Sequence, residues 1–125
     1  MVVRLTDEQR LLRTVSEKAW QAQVEQTLAW AGFDLRYHTK DSRRSPAGFP
    51  DVVAIRKAED GFLTLVVVEL KRETGRVKPD QWPWLLRFGD LAGLVNSAEC
   101  AVRVITGVWK PSDAERITEL LMEDR

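Results

Sequence analysis

The chain is expected to fold as one α/β domain, a small mixed sheet flanked by helices, and three observations lead there. Trp20, Val24, Leu28 and Ala31 recur at helical spacing in KAWQAQVEQTLAWAG, the mark of a helix with one buried face. Asp60-Gly61, a hairpin signal, separates two β-rich runs, DVVAIR and LTLVVVELK. A helical stretch then intervenes before AVRVITGVW. A strand reached through a helical crossover is expected to run parallel to the one it left. At 125 residues the chain is long enough for one core and too short for two comfortable ones.

Each element has a local reason. Thr6-Asp7-Glu8-Gln9 has the form of a capping box and predicts a short helix. Ser16-Glu17 offers a second helix start, with Gly32 as the C-cap; the pattern fits two helices or one continuous helix. FDLRYH (Phe33 to His38) alternates apolar and polar residues and predicts a strand. Thr39 to Pro50 reads as a loop, and Asp51 opens the next strand. Leu63 to Lys71 reads as its antiparallel partner, and Gly75 ends that run. Pro79 suits the first turn of a helix running to about Gly89 or Gly93. Ser112 or Asp113 is expected to cap a last helix bearing Ile117, Leu120 and Leu121.

Composition excludes several classes. Hydrophobic residues make up 44% and charged residues 30%, which argues against disorder. Nineteen Lys+Arg balance 19 Asp+Glu, so the surface as a whole is no polyanion binder, although a local basic groove stays open. The lone Cys100 allows no internal disulfide and no cysteine-based zinc cage, and it fits a reducing cytosol. No apolar run is long enough to span a membrane, and the opening MVVRLTDEQR is not read as a signal peptide.

The chemistry gathers in VVVELK. Strand side chains alternate, so Glu69 and Lys71 leave one face and Leu70 the other. With the turn at Asp60-Gly61, paired residue numbers sum to about 121, which brings Asp51 across from residue 70 and close to Glu69. Two carboxylates forced together resist joint ionisation, and a divalent cation reverses that logic. Oxygen ligands suit Mg²⁺ or Mn²⁺, which can activate water and polarise a phosphoryl oxygen. A lone E-x-K is usually a surface ion pair. Pro50-Asp51 followed 18 positions later by Glu69-Leu70-Lys71, on two paired strands, is more specific.

These residues resemble the PD-(D/E)XK nuclease motif. HTKDSRRSPAGFPD and ELKRETGRVKPDQ, together with the helix from Ser16 and VWKPSD, resemble the VRR-NUC family in its small stand-alone, phage-type form, from about Ser16 to Leu121. The resemblance implies a restriction-endonuclease-like αβββαβ core in a domain spanning 16–125, with residues 1–15 as a helical extension. It implies a Mg²⁺- or Mn²⁺-dependent, structure-specific endonuclease acting on branched DNA such as Holliday junctions, as a homodimer, in the cytoplasm of a cell or a phage host. Asp51, Glu69 and the Leu70 carbonyl match the metal ligands, and Lys71 matches the catalytic lysine. Glu17 matches an acidic residue that binds the metal or orients its water, and Gln81 matches the glutamine after E-x-K. Gln21 takes a supporting role. The residues before Ser16, Lys78 where a Ser or Thr cap is expected, and a long link into the last strand depart from the pattern.

Around the site, RYHTKDSRR (Arg36 to Arg44) leads straight into Asp51. His38, Lys40, Ser42, Arg43 and Arg44 are candidate phosphate contacts, and Arg72, Arg76 and Lys78 extend the groove. His38 could equally be a general base or a hydrogen-bonding residue at a strand end. Of five tryptophans, Trp82 and Trp84 stand next to Gln81, one expected to face the sheet and the other a partner subunit or solvent. Two alternatives compete with the metal-dependent nuclease: a non-catalytic branched-DNA-binding module or nuclease subunit, and a sequence-specific restriction-type enzyme.

Overall fold

The computed structural model describes residues 3–39 and 45–123. Two helices open it: α1 (Asp7–Thr14) and α2 (Glu17–Trp30). Each has its own cap, which is why they do not merge. Thr6 and Gln9 exchange both bonds of the capping box, and the Ser16 hydroxyl accepts from the Ala19 N–H. α2 ends in a Schellman motif: Phe33 N–H bonds Leu28 O, and Gly32 N–H bonds Ala29 O, with Gly32 at φ +91°.

The sheet holds β1 (Leu35–His38), β2 (Val52–Lys57), β3 (Leu63–Leu70) and β4 (Val102–Trp109), in that spatial order. β1, β2 and β3 are antiparallel neighbours; β3 and β4 are parallel, as the crossover through α3 (Trp82–Ser97) requires. A 3-10 turn (Pro111–Asp113) leads into α4 (Ala114–Met122). The order and the mixed sheet agree with a restriction-endonuclease-like core.

Several boundaries differ from the sequence reading. The hairpin closes on Ala58 and Phe62, with Glu59-Asp60-Gly61 as a three-residue loop and Gly61 at φ +91°. Paired residues therefore sum to 120, as in Val52↔Val68, and one step further Asp51 stands opposite Glu69 itself. α3 starts at Trp82 rather than Pro79, with Pro83 in its first turn, because residues 78–81 form a separate turn: Gln81 N–H bonds Lys78 O. The helix continues through Gly89 and Gly93 to Ser97. Each glycine costs about 1 kcal/mol in a helix; Leu85 and Ala92, buried against the sheet, offset this. Asp113 occupies the cap position of α4 but sends its carboxylate to the Lys110 N–H.

The two sheet faces are covered unequally. Val52, Ala54, Val66, Val68, Leu70, Ile105 and Trp109 meet Trp20, Val24 and Leu28 of α2 and Ile117 and Leu121 of α4. The valines, leucines and isoleucines among them contribute about 1.5–3 kcal/mol each when fully buried. On the opposite face α3 lies over β3 and β4, leaving Leu35 and Tyr37 of β1 and Ile55 of β2 exposed. Trp82 is exposed, whereas Trp84 packs against Phe49 and Phe88. Cys100 is an exposed free thiol.

Candidate active site

Asp51 and Glu69 face each other at the end of the sheet, on the face that carries α3. Asp51 is 5% exposed and Glu69 1%. The backbone builds this pair. Thr39, itself buried, donates its N–H to Asp51 O (2.8 Å) and its hydroxyl to Pro50 O (2.6 Å). Asp51 Oδ2 accepts the Leu70 N–H at 2.9 Å, so the carboxylate takes the ladder bond that a further strand residue would have made.

Glu69 is held on one side and open on the other. Its Oε1 accepts from Gln81 Nε2 at 3.0 Å and lies 3.5 Å from Lys71 Nζ. Its Oε2 is fully buried and has no hydrogen-bond partner among the described residues. Burial, and then the adjacent Asp51 carboxylate, push the Glu69 pKa up to about 8 against the opposing pull of Lys71. An orphaned carboxylate oxygen beside a second carboxylate is the donor set a hard divalent cation completes, so these residues fit Mg²⁺ or Mn²⁺.

Gln81 is locked at both ends of its amide. Its Oε1 accepts the Lys78 N–H at 2.7 Å, which forces the NH₂ toward Glu69. The Lys78 backbone thus serves the site, where a Ser or Thr side-chain cap was expected. Lys71 anchors its N–H on Trp109 O (3.0 Å), and Trp20 Nε1 donates to the same carbonyl at 3.0 Å. Trp109 therefore ties the end of β3 to α2. Glu17 lies in the first turn of α2 and is exposed. Among the described residues no three His, Cys, Asp or Glu side chains gather as a metal cluster, so Glu17 does not join Asp51 and Glu69 in one.

The DNA-contact candidates divide. Lys40, Ser42, Arg43 and Arg44 lie outside the described residues. Arg76 and Lys78 are exposed on the segment between β3 and α3. Arg72 instead turns to α1, donating to Val15 O and Arg13 O, where carbonyls left over at a helix C-terminus attract a cation. His38 is part of a polar chain on the α2 side: Gln21 Nε2 lies 3.1 Å from its Nδ1, and its Nε2 lies 2.5 Å from Glu25 Oε2. Burial raises the Glu25 pKa, but the bonds from His38 and Arg36 outweigh it and hold the carboxyl below its ordinary value. His38 thus has hydrogen-bond partners from α2 at the end of β1. Gln21 supports it rather than the carboxylates.

Thr39, Glu25 and the Trp109 carbonyl escaped the sequence reading. Thr39 bonds backbone carbonyls and Trp109 offers its own, and neither leaves a pattern in the sequence; Glu25 alone, two helical steps from Glu17 on a charged helix, could have been suspected.

No curated protein and no solved structure matches the chain. The family model of the VRR-NUC domain does match, over residues 3–109, taking in α1 and ending at the last residue of β4. With its paired strands, its two carboxylates and that match across most of its length, the chain belongs to the VRR-NUC domain family, a family of nuclease-type domains.

Proposed function

We propose that this protein is a Mg²⁺- or Mn²⁺-dependent, structure-specific DNA endonuclease that hydrolyses phosphodiester bonds in branched DNA, four-way Holliday junctions foremost. The observation that carries the reading is the buried, unpartnered Glu69 Oε2 beside Asp51. Asp51, Glu69 and the Leu70 carbonyl would hold the metal, with Glu17 helping to bind it or to orient its water. The metal would supply Lewis acidity to the phosphate and an activated water.

The protein's own groups do the rest. The Leu70 N–H fixes Asp51 Oδ2, and Gln81 fixes Glu69 Oε1, so the two carboxylates are oriented before substrate arrives. The ammonium of Lys71, whose side chain is 13% exposed, orients the attacking water and offsets negative charge gathering on the phosphate. Arg76, Lys78 and the basic segment from Lys40 to Arg44 contact phosphates on either side of the scissile bond.

A homodimer in the cytoplasm completes the proposal, because a twofold pair supplies two active sites for symmetrically related strands. Support comes from α3, whose Trp82, Leu86, Leu91 and Leu94 are exposed. No helix among the described residues is long and apolar enough to cross a membrane.

The test is a panel of labelled substrates (four-way junction, flap, splayed arm, linear duplex, single strand) with Mg²⁺ or Mn²⁺ and Lys71→Ala as control. The expected result is metal-dependent cutting of the junction, whatever its arm sequence, lost in Lys71→Ala. Junction binding without cutting in either metal would instead make the protein a branched-DNA-binding module. Cutting tied to one duplex sequence would make it a restriction-type enzyme.

A further inference from the structure

Gly48 sits two residues before Pro50 in the turn that delivers Asp51. Its φ is +81°, and a Cβ added there would lie 2.0 Å from Asp80 O, 2.5 Å from Asp80 C and 3.0 Å from Gln81 N. The Gly48 backbone therefore lies directly on the peptide bond between Asp80 and Gln81. The same turn is tied to α3 by three further contacts. Trp84 Nε1 donates to Ala47 O at 3.3 Å, and the Phe49 ring meets Trp84 edge-on at 4.9 Å and Phe88 at 6.1 Å.

These contacts join the two segments that converge on Glu69. Asp51 arrives from the turn, and Gln81 arrives from the peptide beneath Gly48. We propose that Gly48 is a positioning residue: its missing side chain lets the Asp51 turn seat on the Asp80–Gln81 peptide, so that Asp51 and Gln81 take up their places on Glu69 together. Any side chain at 48 must open that contact by at least an ångström to reach the 3.0 Å below which Cβ contacts are not found. The Gln81–Glu69 bond, 3.0 Å long, does not survive such a displacement. The catalytic consequence rests on the nuclease reading above; the positional one does not.

Gly61 provides the control. It also has positive φ, +91°, but a Cβ there meets nothing within 4 Å, and it lies at the far end of the β2–β3 hairpin. Gly61→Ala carries the backbone strain without the clash. The first readout is the side-chain amide resonance of Gln81 in the metal-free protein, assigned by its loss in Gln81→Ala. In Gly48→Ala it should move to the position of an unbonded glutamine; in Gly61→Ala it should stay. The second readout is kinetic. Gly48→Ala should lower kcat on the four-way junction by about 10- to 100-fold, the scale set by an ångström of misplacement, with KM little changed. The double variant Gly48→Ala/Gln81→Ala should be no slower than the slower single one.

If Gly48→Ala does not fold, Trp84→Phe takes its place, since it removes the donor to Ala47 O and keeps a ring against Phe49. Its amide resonance should shift part of the way. An unmoved Gln81 resonance in a folded Gly48→Ala, or in Trp84→Phe where it stands in, overturns the proposal. So do kinetic losses that multiply in the double variant. A wild-type protein that cuts no DNA removes the nuclease reading and leaves the resonance to decide the positioning.

Discussion

Two buried ionisable side chains sit at opposite ends of the β2–β3 pair, and they are treated differently. Arg56, 6% exposed, gives its guanidinium to the carbonyls of Ala31, Leu121 and Glu123 and lies 4.6 Å from the centre of the Phe33 ring. It closes the C-terminal ends of α2 and α4, where a helix favours a cation. Glu69 is as deeply buried, yet one of its oxygens has no partner among the described residues and its nearest acidic neighbour is another carboxylate. Arg56 is a charge whose contacts are complete within the fold. Glu69 is a carboxyl group the fold holds through one oxygen and leaves without a partner among the described residues at the other. A buried polar group that serves stability is ordinarily satisfied within the fold, and the departure at Glu69 is what the proposed metal role accounts for.

The largest difference between the two ends should appear in activity. Asp51→Ala and Lys71→Ala should each slow junction cleavage about 1000-fold, the upper end of what losing one charge-stabilising group costs, with both proteins still folded, Lys71→Ala melting close to wild type and Asp51→Ala lower by the stranded Leu70 N–H. Arg56→Ala should do the reverse. Stranding three helix-end carbonyls should cost about 3 kcal/mol in urea unfolding, while the folded fraction still cuts.

A smaller contrast lies in pH. Without metal, Glu69 holds its proton more tightly when folded, to about pH 8, than when unfolded, near 4.5. Between those values the unfolded state binds fewer protons, so stability should fall as pH rises from 4.5 to 8. Melting temperatures in EDTA across that window should decline for wild type and flatten in Glu69→Gln. Adding Mn²⁺ at pH 8 should restore wild type, by about 2.7 kcal/mol at 100 times its Kd, and leave Glu69→Gln unmoved. The smallest effect concerns the shared Trp109 carbonyl: Trp20→Phe removes one of its donors and should cost about 1 kcal/mol.

What the sequence revealed follows the same division. The order of elements and the meeting of Asp51 with Glu69 were legible because periodicity, the hairpin signal and the E-x-K alternation are all side-chain patterns. The register was off by one, since a two-residue and a three-residue loop around Asp60-Gly61 look alike until backbone hydrogen bonds are seen. The start of α3 was misplaced for a similar reason: Pro79 and Pro83 both suit a first turn, and only the Lys78–Gln81 bonds decide between them. Arg72 and His38 read as phosphate contacts from charge and from nearness to Asp51 and Glu69; their bonds to the carbonyls of α1 and to Glu25 leave no trace in the sequence pattern. Thr39 and Gly48 carried no signal, because one acts by capping two carbonyls and the other by having no side chain.

Cleavage of a labelled four-way junction by Glu69→Ala beside wild type, in Mg²⁺ and in Mn²⁺, tests the account most directly. Wild type should cut in both metals, and a folded Glu69→Ala should cut in neither. Full cleavage by Glu69→Ala with Mg²⁺ present would contradict the assignment of that buried carboxylate to a metal.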